Sequence, residues 1–496
     1  MGNDPPFGSE VRGDSPPGNR PRRHPSPPAG LDPRIPLWRA VLALALPALA
    51  QQYLHLLVGL SDQFLADHFR LPDGTDRRAY LSALTTAGYL YWFVSSYTVL
   101  VGVGATALVA RFVGAADRSL AHRATGQAVL LAVAFGLLGS VAGGFGLPAL
   151  VAALQLVGDA AVYCTRFLLP LAVLLPFQIT ESACAACLAG AGDTKTGLKV
   201  LGGVAVLNVP LAWALCFGIG PWGGFGFVGI AIGTGFSHVV GCLVLLTILA
   251  RGRSGLQLRR ANLIPDVRLM WRLLRVSVPA AVDSLSVAAC QLWFLSLVNG
   301  LGDTAAAAHG IALRWEALGY LAGGAFGTAA MALVGQNLGA ANPDRAARCG
   351  WTAFALGCAV MVGMGLLFAV FAEPMFRLFC HEPGTQPVID TGAPVLRLIA
   401  VAMPALASQI IFTSALRGAG DTRVPVLITW LGFLGVRIPL AYLLTRPVVD
   451  LGRYGTLTGA DLGLYGAWVA MCIDIWVRGS FFALRFAHGR WKRVEV

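Results

Sequence analysis

Ala189-Gly190-Ala191-Gly192-Asp193-Thr194 and Arg417-Gly418-Ala419-Gly420-Asp421-Thr422 are two copies of one short stretch, 228 positions apart. Each joins a long apolar run to a second apolar run. Such a stretch reads as a tight helix-to-helix turn. Gly ends the first helix in the left-handed conformation, and Asp or Thr caps the free N–H groups of the next. Gly190 to Thr196 also looks like a phosphate loop, but it lacks the Gly before Lys195 and the strand before the loop that such a motif needs.

The duplication extends outward from the turn. Gly114-Ala115-Ala116-Asp117 answers Gly339-Ala340-Ala341-Asn342, with Ala107-Leu108-Val109 and Ala332-Leu333-Val334 upstream. Pro47 answers Pro279, and Pro176 answers Pro404. Asn208-Val209-Pro210-Leu211-Ala212 answers Arg437-Ile438-Pro439-Leu440-Ala441. One unit is used twice, as expected of a transporter built from related halves.

Composition says where that unit resides. The 496 residues are 56% hydrophobic and 12% charged, with a mean hydropathy of +0.67. Soluble domains carry about 25% charged residues, so most of this chain faces lipid. The net charge of +12 sits in the short segments between apolar runs, a placement that suits anionic lipid and not nucleic acid. The ten cysteines are scattered, mostly inside apolar runs. Cys184 and Cys187 have redox or metal spacing, but no second pair accompanies them, and in a span they act as small apolar residues.

Residues 1–36, rich in Pro, Gly, Arg and Ser, are expected to be a disordered tail and not a signal peptide. Twelve spans follow: about 37–66, 79–110, 123–147, 161–189, 196–218, 227–250, 276–300, 305–338, 347–372, 388–416, 424–445 and 463–486. They predict an all-α polytopic membrane protein with an N-terminal six-helix bundle (37–250), a basic linker (251–275), a C-terminal bundle (276–486) and a short tail (487–496). Most Lys and Arg fall in the tails and the even-numbered loops, above all Arg251, Arg253, Arg259, Arg260, Arg268, Arg272 and Arg275. Both termini and the linker are therefore expected in the cytoplasm, with the chain in the cell membrane.

Leu416-Arg417-Gly418-Ala419-Gly420-Asp421-Thr422 after span ten and its partner after span four resemble the multidrug and toxic compound extrusion (MATE) transporters. So do Gly102-Val103-Gly104-Ala105 through Gly114, Ala307-Ala308-His309, and Gly335-Gln336-Asn337-Leu338-Gly339-Ala340, in the same order and spacing. The resemblance runs from about Leu37 to Trp491. It implies two six-helix bundles facing each other as a V, and export by alternating access as H⁺ or Na⁺ enters, with no other cofactor.

Energetics single out five acids within the spans, because a charge at mid-membrane costs at least ~2.5–3.5 kcal/mol and marks a cavity or pathway. Counting ~1.5 Å per residue, Glu181, Asp283, Glu316 and Asp474 fall near the midplane, and Asp62 lies nearer the outer mouth. Asp474 can simply neutralise Arg478, four residues on. Glu316 can pair with Arg314 or Arg437. Asp62, Glu181 and Asp283 have no cation nearby in sequence, which favours function. His309 reads as helix packing. By resemblance, Asp62 matches a first-span acid assigned to cation coupling and Asn208 an Asn that accompanies it from span five. Where some members add a polar or acidic residue four residues on, this chain has Ala212, so Glu181 is a candidate substitute for the missing carboxylate. Where other members carry a seventh-span Glu, the chain offers Asp283.

The expected activity is export of amphipathic, cationic or aromatic small molecules by a monomer in contact with lipid. Trp92, Phe93, Trp293, Trp315, Tyr320 and Trp430 are candidate stacking faces. A flippase for lipid-linked precursors would want a basic cavity, whereas the spans carry five acids at depth. An intramembrane enzyme would need a nucleophile–base set or paired His at helical spacing, and the spans offer none.

Overall fold

A computed structural model describes residues 30–494, apart from 70–79, 81–82, 85, 89, 92–95, 154–155, 157, 220, 222, 253–254, 381–382 and 451–455. The helices are α1 (Leu37–His68), α2 (Val99–Gly114), α3 (Arg118–Ala153), α4 (Gly158–Gly190), α5 (Thr194–Phe217) and α6 (Phe227–Ala250). The second half holds α7 (Val267–Asn299), α8 (Asp303–Gly339), α9 (Pro343–Arg377), α10 (Gln386–Gly418), α11 (Arg423–Thr445) and α12 (Gly463–His488). Eleven of these are long and apolar enough to cross a membrane, and α2, at 16 residues, is the shorter one. The protein is an all-α, multi-pass membrane protein. A two-stranded hairpin, β1 (Val448–Asp450) and β2 (Thr456–Thr458), joins α11 to α12 with Val448 opposite Thr458.

The repeated turns do what their residues dictate, with one difference between copies. Gly192 and Gly420 take φ of 89° and 86°, which a side chain disfavours. Asp193 caps α5, accepting from the Thr196 N–H at 2.9 Å and from its hydroxyl at 2.6 Å. Asp421 instead pairs with Arg485 of α12 at 2.7 Å. Gly190 and Gly418 serve close approach: a Cβ would press on the carbonyl of Thr106 in one half and of Met331 in the other. The second repeated turn is also symmetric. Ala116 and Ala341 are left-handed, at φ 58° and 54°, and Asp117 and Asn342 cap α3 and α9.

The halves close on each other at the end carrying the α2–α3, α4–α5, α8–α9 and α10–α11 turns, which is also the linker end. Gly114 lies against the Gln336 backbone and Gly339 against that of Arg111, so that any side chain at either would overlap. Arg111 donates through Nη2 to the carbonyls of Ala419 and Val494, both at 2.9 Å. Gln336, its counterpart in the repeat, donates to the Gly190 carbonyl at 2.9 Å. The Gly104 N–H donates to Ser277 at 2.8 Å. Beyond Tyr53 Oη to the Leu318 carbonyl (3.3 Å), no hydrogen bond joins the halves toward the far end among the described residues.

Several expected boundaries shift. Ala40, Val41, Leu44 and Ala45 at the start of α1 pack into the core of the second half, so α1 belongs to both bundles. Helix α7 begins at Val267, capped by Asp266, within the segment expected to be linker. Residues 30–36 are not free: Arg345 donates to the carbonyls of Gly30 and Asp32, at 3.1 and 2.7 Å. Residues 1–29 lie outside the described residues. The far tail is docked too, with Trp491 fully buried and stacked on Phe486 at 4.6 Å.

Candidate cation and substrate site

In the first half, Asp62 of α1, Asn208 of α5 and Thr234 of α6 meet. The Thr234 hydroxyl lies 2.7 Å from Asp62 Oδ2, and Asn208 Nδ2 donates to it at 3.0 Å. Asn208 and Thr234 are buried. Glu181 of α4, 2% exposed, takes a different partner: His238 Nδ1 sits 2.6 Å from its Oε2. Thr234 and His238 are four apart, so one face of α6 joins the two acids. A cavity of about 20 Å³, room for one water molecule, is lined by His55, Asn208, Thr234, His238 and apolar neighbours. Asp62 Oδ1, Asn208 Oδ1 and Glu181 Oε1 are buried with no hydrogen-bond partner in the protein. Orphaned buried acceptors are costly. Asn208 lines the small cavity, and the three oxygens fit a proton or a small cation; the second half has unpartnered oxygens too, on Asp283, Gln336, Asn337 and Gln409.

The second half is arranged differently. Asp474 of α12 is fully buried between two guanidinium groups, Arg437 at 2.8 Å and Arg478 at 2.6 Å. A five-residue π-turn, Phe433–Arg437, breaks α11 and brings Arg437 to the acid, and the Phe433 ring lies under both cations. Gly432 leaves the room, since any side chain there would overlap Asp474 and Arg478. Arg478 is therefore a partner of Asp474, one of its two expected readings, and Arg437 completes the cluster.

Asp283, which has no cation nearby in sequence, is bonded to Arg417 at 2.7 Å. Its partner lies 134 residues away in the repeated turn, at the end of α10, and reaches across to α7. Glu181 likewise has His238, although nothing next to it in sequence is cationic. Glu316 of α8 pairs with neither expected arginine: Arg437 serves Asp474, and Arg314 lies over the Phe379 ring. Glu316 faces Tyr320, around which Asp283, Arg417 and Arg478 also gather. His309 accepts from Trp468 Nε1 at 3.2 Å in the core, as packing requires.

A family model for MatE matches residues 47–214 and 279–443, one match in each half. The chain belongs to the MatE family. It is a membrane exporter. A probable multidrug resistance protein NorM of Thermotoga maritima is 26% identical over 462 residues, covering 92% of this chain and 94% of the relative. The NorM multidrug resistance protein of Burkholderia vietnamiensis is 30% identical over 273 residues, 55% and 58% of the two chains. Among solved structures, a MOP superfamily transporter from Pyrococcus furiosus aligns with a TM-score of 0.81 at 19% identity, covering 92% of this chain and 97% of that one. An outward-facing multidrug resistance MATE family transporter aligns at 0.80 over the same shares.

The aromatic candidates of this MatE exporter divide. Trp92 and Phe93 lie outside the described residues. Trp293 is held by Tyr442 and Trp315 packs on Phe379, which are structural roles. Tyr320 is 52% exposed and Trp430 43%, the latter oriented by Ser286 at 2.8 Å, so these two can present a face to a ligand. The sequence reading missed His55, Thr234, His238 and Gly241. The signal for two of them was Thr234-x-x-x-His238, polar residues one turn apart in an otherwise apolar span.

Proposed function

We propose that the chain is a secondary active exporter of amphipathic, cationic or aromatic small molecules, exchanged for H⁺ or Na⁺. The observation that carries this reading is the trio of unpartnered buried oxygens on Asp62, Asn208 and Glu181. Asp62, an acid with no ion-pair partner among the described residues, attracts cations in an apolar bundle, and a cation bound there on one face of the cycle can be exchanged for substrate on the other. The names of the NorM relatives support the substrate class. The linker end, with its arginines, is assigned to the cytoplasm, which makes the closed end described above the inner one. The chain is taken to work as a monomer in the cell membrane.

The test is ethidium efflux from proteoliposomes under separately imposed H⁺ and Na⁺ gradients. Wild type should transport with at least one of them. Asp62→Asn and Glu181→Gln keep shape and most hydrogen bonding, and should stay folded while gradient-driven efflux falls at least tenfold. Two variants that express normally and pump at the wild-type rate would remove the site from the first half.

A further inference from the structure

We propose that Glu181 and His238 form a proton-carrying dyad that makes H⁺, not Na⁺, the coupling ion of the first half. The inference rests on the exporter reading above and adds the identity of the ion and the atom that releases it.

A contact of 2.6 Å between His238 Nδ1 and Glu181 Oε2 requires a proton between the two atoms. That proton is present whether the ring is neutral or charged. The exchangeable one is therefore on the other ring nitrogen, Nε2, and His238 lines the small cavity it shares with His55, Asn208 and Thr234. The loaded dyad, carboxylate with imidazolium, is neutral overall. When the Nε2 proton leaves to water, the imidazole is neutral and the Glu181 carboxylate remains as an uncompensated anion. An unpaired buried anion is strongly disfavoured, so release is favoured when a cationic substrate supplies the missing charge. One proton out for one monovalent cation in keeps the charge of the half unchanged.

The same site is poorly built for sodium. Hard cations take oxygen ligands, whereas an imidazole suits softer metals. Here one of the two Glu181 oxygens, Oε2, is taken by a ring nitrogen, so the carboxylate can offer a cation only Oε1. Space around the carboxylate is limited as well: any side chain at Gly241 would overlap Glu181 Oε1, so the pocket is shaped closely around that group. The groups facing the dyad are His55 and Asp62 from α1, Cys184 beside Glu181 on α4, Cys242 beyond His238 on α6, and the neutral Asn208 from α5. None supplies a permanent positive charge that would spare Glu181 the need for its proton.

The test uses purified full-length protein. Ethidium binding is followed in weakly buffered detergent solution with a pH indicator, and efflux is followed in proteoliposomes. Wild type should release about one proton per ethidium bound and be driven by a pH gradient, with no response to a sodium gradient alone. His238→Asn keeps a donor near the Nδ1 position but cannot titrate. It should bind ethidium, exchange it without a gradient, lose proton release and show a flat pH profile. Glu181→Gln should lose proton release in the same way. Wild type driven by sodium alone, or His238→Asn retaining proton release that Asp62→Asn abolishes, would overturn the dyad while leaving the exporter intact. Wild type that moves ethidium under neither gradient would overturn the exporter reading and the dyad with it. Should His238→Asn not fold, the sodium arm and the proton count on wild type still decide.

Discussion

Replacing Arg111 by Ala should unfasten the closed end of the transporter without disturbing either half. The side chain reaches from α2 across the interface and donates to the carbonyls of Ala419, in the repeated turn after α10, and Val494, in the docked C-terminal tail. A hydrogen bond from a charged donor contributes about 1.5–3 kcal/mol. The guanidinium regains water when the end opens, so the lower figure applies to each, or about 3 kcal/mol for the pair. That shifts the ratio of closed to open about a hundredfold. Arg111→Lys keeps the charge but loses the rigid guanidinium that sets Nη2 between the two carbonyls, and should lie between. Spin labels at the exposed positions Arg118 and Arg348, on either side of the interface, report the distance in a Cys-free background by pulsed dipolar spectroscopy. A longer-distance population should grow from wild type to Arg111→Lys to Arg111→Ala. An unchanged distance distribution in Arg111→Ala would show that the glycine contacts alone hold the end shut.

Other perturbations follow from the same contacts. Asp474→Asn leaves Arg437 and Arg478 buried without their counter-charge and should destabilise the second half by about 3–5 kcal/mol, seen as a lower Tm in a thermal size-exclusion assay. Beginning the chain at Leu37 instead of Gly30 removes two acceptors of Arg345 and should lower Tm, with about 1.5–3 kcal/mol per bond as the upper bound. Ile264→Cys, 69% exposed on the linker, should react with a membrane-impermeant maleimide in inverted vesicles and not in intact cells; labelling from outside would reverse the assigned orientation.

The duplication, the twelve spans and the helix caps were legible because each depends on residues close in sequence. Gly420 and Asp193 do locally what their types dictate. What stayed hidden was pairing between helices. Arg417 reads as part of a turn motif, yet it neutralises Asp283, 134 residues away, a meeting that no local pattern encodes. His238 reads as an isolated His in an apolar span, and only the meeting of α4 with α6 turns it into the partner of Glu181. The docking of residues 30–36 was missed for a related reason. Composition measures how much apolar surface a segment can bury, and Gly30 and Asp32 are held by backbone carbonyls instead.

One repeated position accounts for much of the difference between the halves. Asn208 and Arg437 occupy equivalent places, each followed by an apolar residue, Pro, Leu and Ala. In the second half the residue is a cation, delivered by the π-turn, and it meets an acid already paired with Arg478, so that Asp474 is held in a closed ionic cluster. In the first half the residue is a neutral amide, and it leaves Asp62 Oδ1 and its own Oδ1 without partners. A carboxylate fixed between two arginines has little reason to exchange an ion during a transport cycle, because losing either contact costs several kcal/mol. A carboxylate beside an amide, a hydroxyl and a small cavity can change its occupant at far lower cost. This contrast supports the proposal that ion exchange lies in the half that carries Asn208, while Asp474 is held by its two arginines. Asn208→Arg tests the contrast: a fixed cation in the cavity beside Asp62 and His238 would spare Glu181 its proton and should abolish coupling, with the protein still folded and ethidium exchange still measurable. Normal gradient-driven efflux in that variant would show that the neutral amide is not what keeps the first half available to an ion.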